Sequence, residues 1–508
     1  MTGRTDNGET MGSQSDNVER HDLCIVGAGI AGLNALVVAS EYLAPDDSVV
    51  LVDRRDRPGG MWVDTYDYVQ LHQPHPMFTA GNIPWQLDKD RSHLATKGEV
   101  LNHLRHCYEV AADRVNVVEM FGWEEESHEE LDGVVRVTCR SNTGEVRVIE
   151  ADKLIRAPGF SCKPNEPLQL SSMRVRSESP DHCDMRSPDI AASEAPVWVV
   201  GGGKTGMDTA HTLVTRYPGR EVNLLAGSGV VFVKRDELYP DGLRRWWGGS
   251  RGGHVIREAA GRFDGTNGAE VRRWFLERAG ISLVPEPQTF FLANLSEKEN
   301  HTISDGLRRV LVDHLEDVVD RDDGAELILR SGDSMPVEPG SWFVNCTGYL
   351  LQGDHLHEPA VSTSGNVVSI NMRAHTLWLT TWSAYFLTHL LFRGELVDAP
   401  LYELDTVALR NTAPDQIGAA VGTLMMHNMS VIADVLPPKV LRQCGSDLER
   451  WFPWPRRLVG TVRFLATHRK DREHCRRSLD TFRERYGIAG GVRGDLGPAL
   501  PPEPLATN

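Results

Sequence analysis

One pattern occurs twice in this chain and constrains its fold more than anything else in it. From His21, the run HDLCIVGAGIAGLNALVVASEYL passes from a short apolar β-rich stretch through Gly27, Gly29 and Gly32 into an apolar helical pattern. SVVLVD follows as a second buried strand that ends at Asp53. Strand, GxGxxG, helix, strand and acidic residue make a complete βαβ unit for a dinucleotide. Gly27 permits the tight turn, Gly29 lets the backbone approach a pyrophosphate, and Gly32 lets helix and strand pack closely. Asp53, with Arg54 after it, stands where a carboxylate accepts hydrogen bonds from a ribose.

The second copy is APVWVVGGGKTGMDTAHTLVTRYPGREVNLLAGS, with Gly201, Gly203 and Gly206 in the turn and Lys204 and Thr205 opening the helix. Its second strand ends in Ala226-Gly227-Ser228, where the first ended in a carboxylate, and Lys234-Arg235 follow closely. Without that carboxylate a 2′-phosphate is not repelled, and a nearby cation can pair with it, so NADPH is expected in preference to NADH. The expected fold is α/β, with two Rossmann-like dinucleotide-binding domains, antiparallel hairpin insertions and a helical C-terminal region. Hairpins are expected at VVRVTCR and EVRVIEADKLIRA, around Asn142-Thr143-Gly144, and again at AELILRSGDSMPV.

The expected boundaries are a disordered tail at 1–20, a first nucleotide domain at 21–160 and 336–400, and a second at 190–335. A helical region at 401–489 and a disordered tail at 490–508 complete the chain. Fifty-four basic against 71 acidic residues give a net charge of −17, which opposes binding of nucleic acid. No apolar run approaches the roughly 18 residues a transmembrane segment needs. Eight scattered cysteines with no CxxC pair, and a polar N-terminus without a signal-like stretch, are those of a reduced, cytoplasmic protein.

Two nucleotide units of this kind resemble the two-dinucleotide-binding flavoproteins, over roughly residues 20–395; the resemblance implies FAD in the first unit and NADPH in the second. After Asp53 comes RRDRPGGMWVDTYDYVQLHQP, which resembles the flavin-containing monooxygenase pattern of GGxW followed by YxxLxxN. Gly59, Gly60 and Trp62 match the first part, Tyr68 and Leu71 the second, and Gln73 is the expected counterpart of the Asn. Asn345-Cys346-Thr347-Gly348-Tyr349 is similar to the ATGY segment that links domains in flavin monooxygenases, including N-hydroxylating ones. The FxGxxxH fingerprint that precedes the second nucleotide unit in flavin-containing and Baeyer–Villiger monooxygenases is missing, which argues against Baeyer–Villiger chemistry and leaves the branch open; the stretch reads VRSESPDHCDM, with His182 its nearest remnant. A disulfide reductase of the superfamily needs a redox-active cysteine pair, and none matches.

The resemblance implies an NADPH- and O2-dependent monooxygenase oxygenating a small molecule, foremost at nitrogen, with oxygen activated on the flavin. Baeyer–Villiger or sulfur oxygenation, or an NADPH-dependent flavoprotein reductase, are the alternatives. Such an enzyme needs position and dryness from its protein rather than a nucleophile or a metal. Trp62 and Gln73 are expected near the flavin, the former holding cofactor and both serving catalysis. HQPHPMFTAGNIPW, residues 72–85, is expected to wall the flavin edge with Met77, Phe78 and Trp85, and His72 and His75 are candidates for moving protons. Residues 377–396 form an apolar helix expected to cover the FAD. The Arg- and aromatic-rich stretch from Glu449 has the composition of a peripheral membrane helix, but in an acidic protein a soluble cap is the expectation.

Overall fold

The structure is a computed structural model that describes residues 19–159, 164–348, 357–371, 373–374 and 376–494. The tail expected at 1–18, Cys162, Tyr349 and the end from 495 lie outside the described residues. Three layers of the first unit are built on Glu19–Val26, Ile30–Ala39 and Ser48–Asp53. The strands Glu19–Val26 and Ser48–Asp53 run parallel, Leu23 opposite Val49 and Val26 opposite Val52. The sheet continues to Asn116–Phe121 on one side. On the other side it meets the 14-residue strand Val146–Gly159, then Val134–Ser141 and Trp123–Leu131 as antiparallel hairpins.

Helix Ile30–Ala39 shows why the glycine spacing matters. A Cβ on Gly32 would stand 1.7 Å from the carbonyl oxygen of Gly27, so only glycine lets the helix start against its own turn. Nine of its ten residues are buried, because helix Thr380–Phe392 closes over the face that the sheet leaves free. Leu33 and Leu36 are fully buried there, each stabilising the fold by about 1.5–3 kcal/mol.

The second unit has a five-stranded, all-parallel sheet in the order Arg309–Leu311, Val222–Leu225, Val197–Val200, Trp342–Asn345, Arg176–Glu178. The expected return to the first domain at 336 is therefore corrected. Trp342–Asn345 pairs residue for residue with Val197–Val200 and, on its other side, with Arg176–Glu178, and this sheet buries its three apolar side chains. Likewise Arg176–Glu178 joins this sheet ahead of the expected start at 190. The hairpin of Gly324–Leu329 with Ser334–Val337 is present.

Both expected tails also shorten. Glu19 and Arg20 extend the first strand, where Arg20 pairs with Asp152 at 2.8 Å. Gly490–Val492 pairs with Tyr402–Leu404, a short antiparallel pair in a region read as purely helical. That region holds helices Ile417–Val435 and Trp454–Tyr486, the latter 33 residues long.

Candidate functional site

In both units the first glycine of the turn is forced by the strand beside it. Gly27 has φ +100°, and a Cβ there would meet the carbonyl oxygen of Ala157 at 2.1 Å; Gly201 has φ +120°, with the carbonyl oxygen of Cys346 at 2.7 Å. Ala157-Pro158-Gly159 and Cys346-Thr347-Gly348 thus play the same part, each ending a central strand against a glycine turn. Thr347 and Gly348 consequently lie at the second turn, where Asn165 Nδ2 donates to the Thr347 carbonyl at 2.5 Å.

The second glycines differ. A Cβ on Gly29 would approach Gly60 Cα to 3.3 Å, and one on Gly60 would approach Gly29 Cα to 2.7 Å. The GAG and PGG segments therefore meet backbone to backbone, which only glycines permit. At Gly203 a Cβ would meet nothing within 4 Å, while at Gly206 it would strike the Gly201 carbonyl oxygen at 1.9 Å. Helices Ile30–Ala39 and Lys204–Arg216 both start at a glycine without a side-chain cap, so their first N–H groups are offered to a ligand.

Asp53, 5% exposed, fastens the first turn from inside. Its carboxylate accepts the Ala28 N–H at 2.6 Å and the Arg55 N–H at 2.9 Å. Arg55, which the sequence reading passed over, reaches on to Asp64 at 2.7 Å; Arg54 contributes its carbonyl to Asn142.

From Gly60 to Trp85 the chain forms a strap that leaves the first unit and lies on the second. Tyr66 donates to Asp208 Oδ2 at 2.8 Å, and Tyr68 Oη shares a 2.8 Å hydrogen bond with Thr209 Oγ1. Thr205 also reaches the Tyr66 phenol. Burial first, then the neighbouring Asp208, pushes the Tyr66 phenol well above its usual range, so it stays a donor. Lys204 forms an ion pair with Asp208 one turn along the same helix. A cleft of about 300 Å³ opens beside these contacts, lined among others by Tyr68, Gln70, Lys204, Asp208, His211 and Glu299.

His72 is held on both sides. Its Nδ1 accepts the backbone N–H of Asn294 at 3.1 Å and faces the Asn294 amide nitrogen at 3.0 Å, while its carbonyl accepts from Arg235 at 3.0 Å. The backbone donor places the imidazole proton on Nε2. Burial, reinforced by Lys204 and Arg235, pushes its pKa down to about 3. His72, a candidate for moving protons, is thus held neutral near neutral pH, with Nε2–H as its donor. His75 lies against the edge of Trp85, bonded to the His93 carbonyl at 3.2 Å, and burial lowers its pKa too.

Gln73, next to His72, carries a buried Oε1 with no hydrogen-bond partner. Counted strictly, the Asn of YxxLxxN falls on Pro74, so the interest of Gln73 rests on this unpartnered oxygen rather than on the motif. Trp62 is half-buried and edge-on to Phe78, ring centroids 6.1 Å apart. Of the expected wall of Met77, Phe78 and Trp85, the last two stay together, Trp85 Nε1–H donating to the Phe78 carbonyl at 2.7 Å. Trp85 stacks on His103 at 4.0 Å, whereas Met77 turns to Tyr239, Trp451 and Phe452.

Lys234 and Arg235, expected to read a 2′-phosphate, are each paired with a carboxylate. Lys234 pairs with Glu297 at 3.0 Å, and Arg235, 12% exposed, pairs with Glu299. Lys234 ends strand Val230–Lys234 and Arg235 follows it, and through Glu299 Arg235 adjoins the cleft that Lys204 lines. Burial alone would raise the Glu299 pKa, yet Arg235 and Lys204 hold it below the carboxylate range. Asp208 and Glu299 carry no motif, and only the fold brings them to the cleft, while Tyr66, Thr209 and Asn294 hold the strap beside it. His182 sits on a loop beside Glu166 at 3.2 Å. Among the described residues all seven cysteines are free, and no cluster of metal-ligating side chains occurs.

Fold and turns together define a protein with two Rossmann-type dinucleotide-binding units joined by a strap. Residues 21–237 match the family model described as pyridine nucleotide-disulphide oxidoreductase. Over 220 residues the chain is 26% identical to the Mycobacterium tuberculosis (strain CDC 1551 / Oshkosh) protein named "Putative FAD-containing monooxygenase MymA", and to its counterpart in strain ATCC 25618 / H37Rv. The match covers 40% of this chain, which spans about 40% of the length of those curated relatives. Similar solved structures include Ornithine Hydroxylase (PvdA) from Pseudomonas aeruginosa, at 14% identity and TM-score 0.47, over 74% of this chain and 99% of that one. A flavin-containing monooxygenase from Stenotrophomonas maltophilia gives 14% identity and TM-score 0.44, over 74% and 98%.

Proposed function

We propose that this protein is a flavin-dependent monooxygenase that uses NADPH and O2 to oxygenate a small molecule, foremost at nitrogen. The observation that carries the reading is the pair of glycine turns, each with an uncapped helix start, spanned by a strap whose Gln73 keeps a buried oxygen unpartnered. Backbone approach at Gly29 and Gly60, and the open space at Gly203, fit a pyrophosphate at each turn. FAD at the first turn, with Asp53 toward its ribose, and NADPH at the second are the assignment the sequence resemblance supports. When bound, the flavin takes up hydride from the nicotinamide and activates oxygen.

The chain's own residues have a defined division of work. The N–H groups at Gly29 and Gly203 hold phosphates, and Tyr66 and Tyr68 lock the strap to the second unit so that the two turns keep their spacing. His72 presents a neutral Nε2–H, and the adjoining Gln73 an amide whose buried Oε1 has no partner. Preference for NADPH rests on the absent carboxylate at Ala226-Gly227-Ser228, not on Lys234 or Arg235. Among the described residues the seven free cysteines, six of them buried and Cys183 partly exposed, include no CxxC pair, which favours oxygenation over disulfide reduction. The missing FxGxxxH argues against Baeyer–Villiger chemistry, and the resemblance of Asn345–Gly348 to the linking segment of N-hydroxylating enzymes supports nitrogen. The test is to purify the protein, measure bound flavin, and follow NADPH and O2 consumption with a panel of small amines. Oxygenated product in proportion to NADPH supports the reading, whereas protein that lacks flavin, or returns all reducing equivalents as hydrogen peroxide with every amine, overturns it.

A further inference from the structure

The expected soluble cap at the C-terminus has an outward face of the wrong polarity for water. Trp454, Leu458, Val459, Val462 and Leu465 are 44–67% exposed, and at about 100° per residue they fall within an arc of about 140° on the start of helix Trp454–Tyr486. Beside them, Leu243, Trp246 and Trp247 are 52–71% exposed on the short turn Arg244–Trp247. Arg456 ties the two segments together, donating to the carbonyls of Arg245 at 3.0 Å, Gly248 at 2.6 Å and Gly249 at 3.1 Å. Three tryptophans on one tethered surface exceed the scattered apolar exposure of an ordinary soluble protein.

The charge around this face is as unusual as its polarity. The chain carries −17 overall, yet no acidic residue occurs between Asp241 and Glu258 or between Glu449 and Asp471. Among the described residues Arg91, Arg244, Arg245, Arg450, Arg457 and Arg463 have no carboxylate within 4.0 Å. Arg91 and Arg245 stack on the two sides offered by Trp451, at 4.9 and 5.4 Å. Burial and then the charges of Arg245, Arg450 and Arg457 lower the Arg91 pKa; the carboxylates that feel this cluster, Asp447 toward Arg450 and Arg457 and Asp241 toward Arg244, form no ion pair with it within 4.0 Å. The nearby Glu449 is turned inward to Arg251 and the Gly253 N–H.

We propose that the face formed by Leu243–Trp247 and the first turns of helix Trp454–Tyr486 docks the protein on an anionic phospholipid surface. Tryptophan at the interfacial depth, aliphatic side chains toward the acyl region and arginines at the phosphates are the arrangement such a surface recognises. No helix among the described residues is long and apolar enough to cross a membrane, so the attachment is peripheral. A second copy of the chain fits less well, because a two-fold contact centred here would set arginines against the same arginines. A soluble polyanion would pair with the arginines but leave the tryptophans and aliphatic stripe in water.

The experiment uses the full chain with vesicles of phosphatidylcholine, pure or with about a quarter phosphatidylglycerol. Sedimentation should show at least tenfold stronger partition to the anionic vesicles, weakened by salt, and bromine-labelled acyl chains should quench tryptophan fluorescence. W246S/W247S/W454S and R244E/R457E/R463E should each lose at least tenfold in partition while keeping their Tm and NADPH oxidation in solution. Folded parent protein that ignores both vesicles overturns the proposal. So does binding that the tryptophan variant retains, which marks a soluble-polyanion site, or a concentration-dependent dimer that the same variant abolishes without any vesicle binding.

Discussion

Replacing Gly203 by alanine should separate nucleotide binding from folding. Gly203 has φ −76° and ψ −173°, extended backbone open to any residue, and its Cβ would have no neighbour within 4 Å. Alanine therefore enters without a clash. It stiffens the unfolded chain, which stabilises by about 0.4–1 kcal/mol, and it is a poorer N-cap, which costs a similar amount. The net change in stability stays within about 1 kcal/mol. Binding should respond differently, because the methyl occupies the space through which a pyrophosphate would reach the uncapped N–H groups. Loss of one or two charge-assisted hydrogen bonds, each worth about 1.5–3 kcal/mol, amounts to roughly 3 kcal/mol, or about a hundredfold in Kd. Calorimetric titration with NADP+ measures the one quantity and thermal melting the other. Gly206→Ala is the contrast, since its Cβ lies 1.9 Å from the Gly201 carbonyl oxygen and the turn itself must move. A Gly203→Ala protein that binds NADP+ within threefold of the parent, or whose loss of binding tracks a melting-point drop like that of Gly206→Ala, would refute the cradle.

Gln73→Ala removes a buried acceptor that has no partner, so the ligand-free protein should melt at the same temperature or slightly higher; under turnover, product per NADPH should fall by about tenfold as peroxide rises. A lower melting point with unchanged coupling would make Gln73 purely structural. Lys234→Ala should alter the preference for NADPH over NADH by less than twofold in steady-state kinetics, since Lys234 is already engaged by Glu297, and a larger selective loss would restore it as a phosphate reader. Arg235→Ala should destabilise by about 1–3 kcal/mol in denaturant titration, because it strands the half-buried Glu299. Acid should unfold the protein steeply: burial holds His72 and His103 at about 3, and His389 and His427 at about 4, against an ordinary 6.5. The unfolded chain binds more protons in that window, so stability is lost as pH falls from 6.5 toward 4, by up to about 1.4 kcal/mol per pH unit for each histidine. Glu449, pushed up to about 7 by burial, acts in the opposite direction between pH 7 and 4.5 and offsets one of the four. A melting temperature flat from pH 6.5 to 4.5 would contradict the burial of these imidazoles.

Local spacing made the two nucleotide units legible, since the glycines, apolar strands and Asp53 act within some thirty residues of one another. Hairpins flanking Asn142-Thr143-Gly144 were legible for the same reason, a two-residue alternation broken by turn-formers. Strand Trp342–Asn345 was misplaced because its apolar run suits either parallel sheet, and only pairing with Val197–Val200 selects one. That Lys234 and Arg235 pair with Glu297 and Glu299 was not legible, because the two carboxylates lie more than sixty residues further along the chain.

The sequence by itself determined the α/β class, the duplication of the dinucleotide-binding unit and the positions where a side chain would obstruct a phosphate, because these follow from backbone geometry and periodicity at short range. Tertiary structure alone decided that Tyr66 and Tyr68 reach Asp208 and Thr209, 142 and 141 residues away, that His72 is neutral against Asn294, and that Gln73 Oε1 is buried without a partner. It also decided that the apolar side of helix Trp454–Tyr486 faces outward. Desolvation and partner choice depend on which distant segments exclude water from a given atom, and nothing in the spacing of neighbouring residues encodes that.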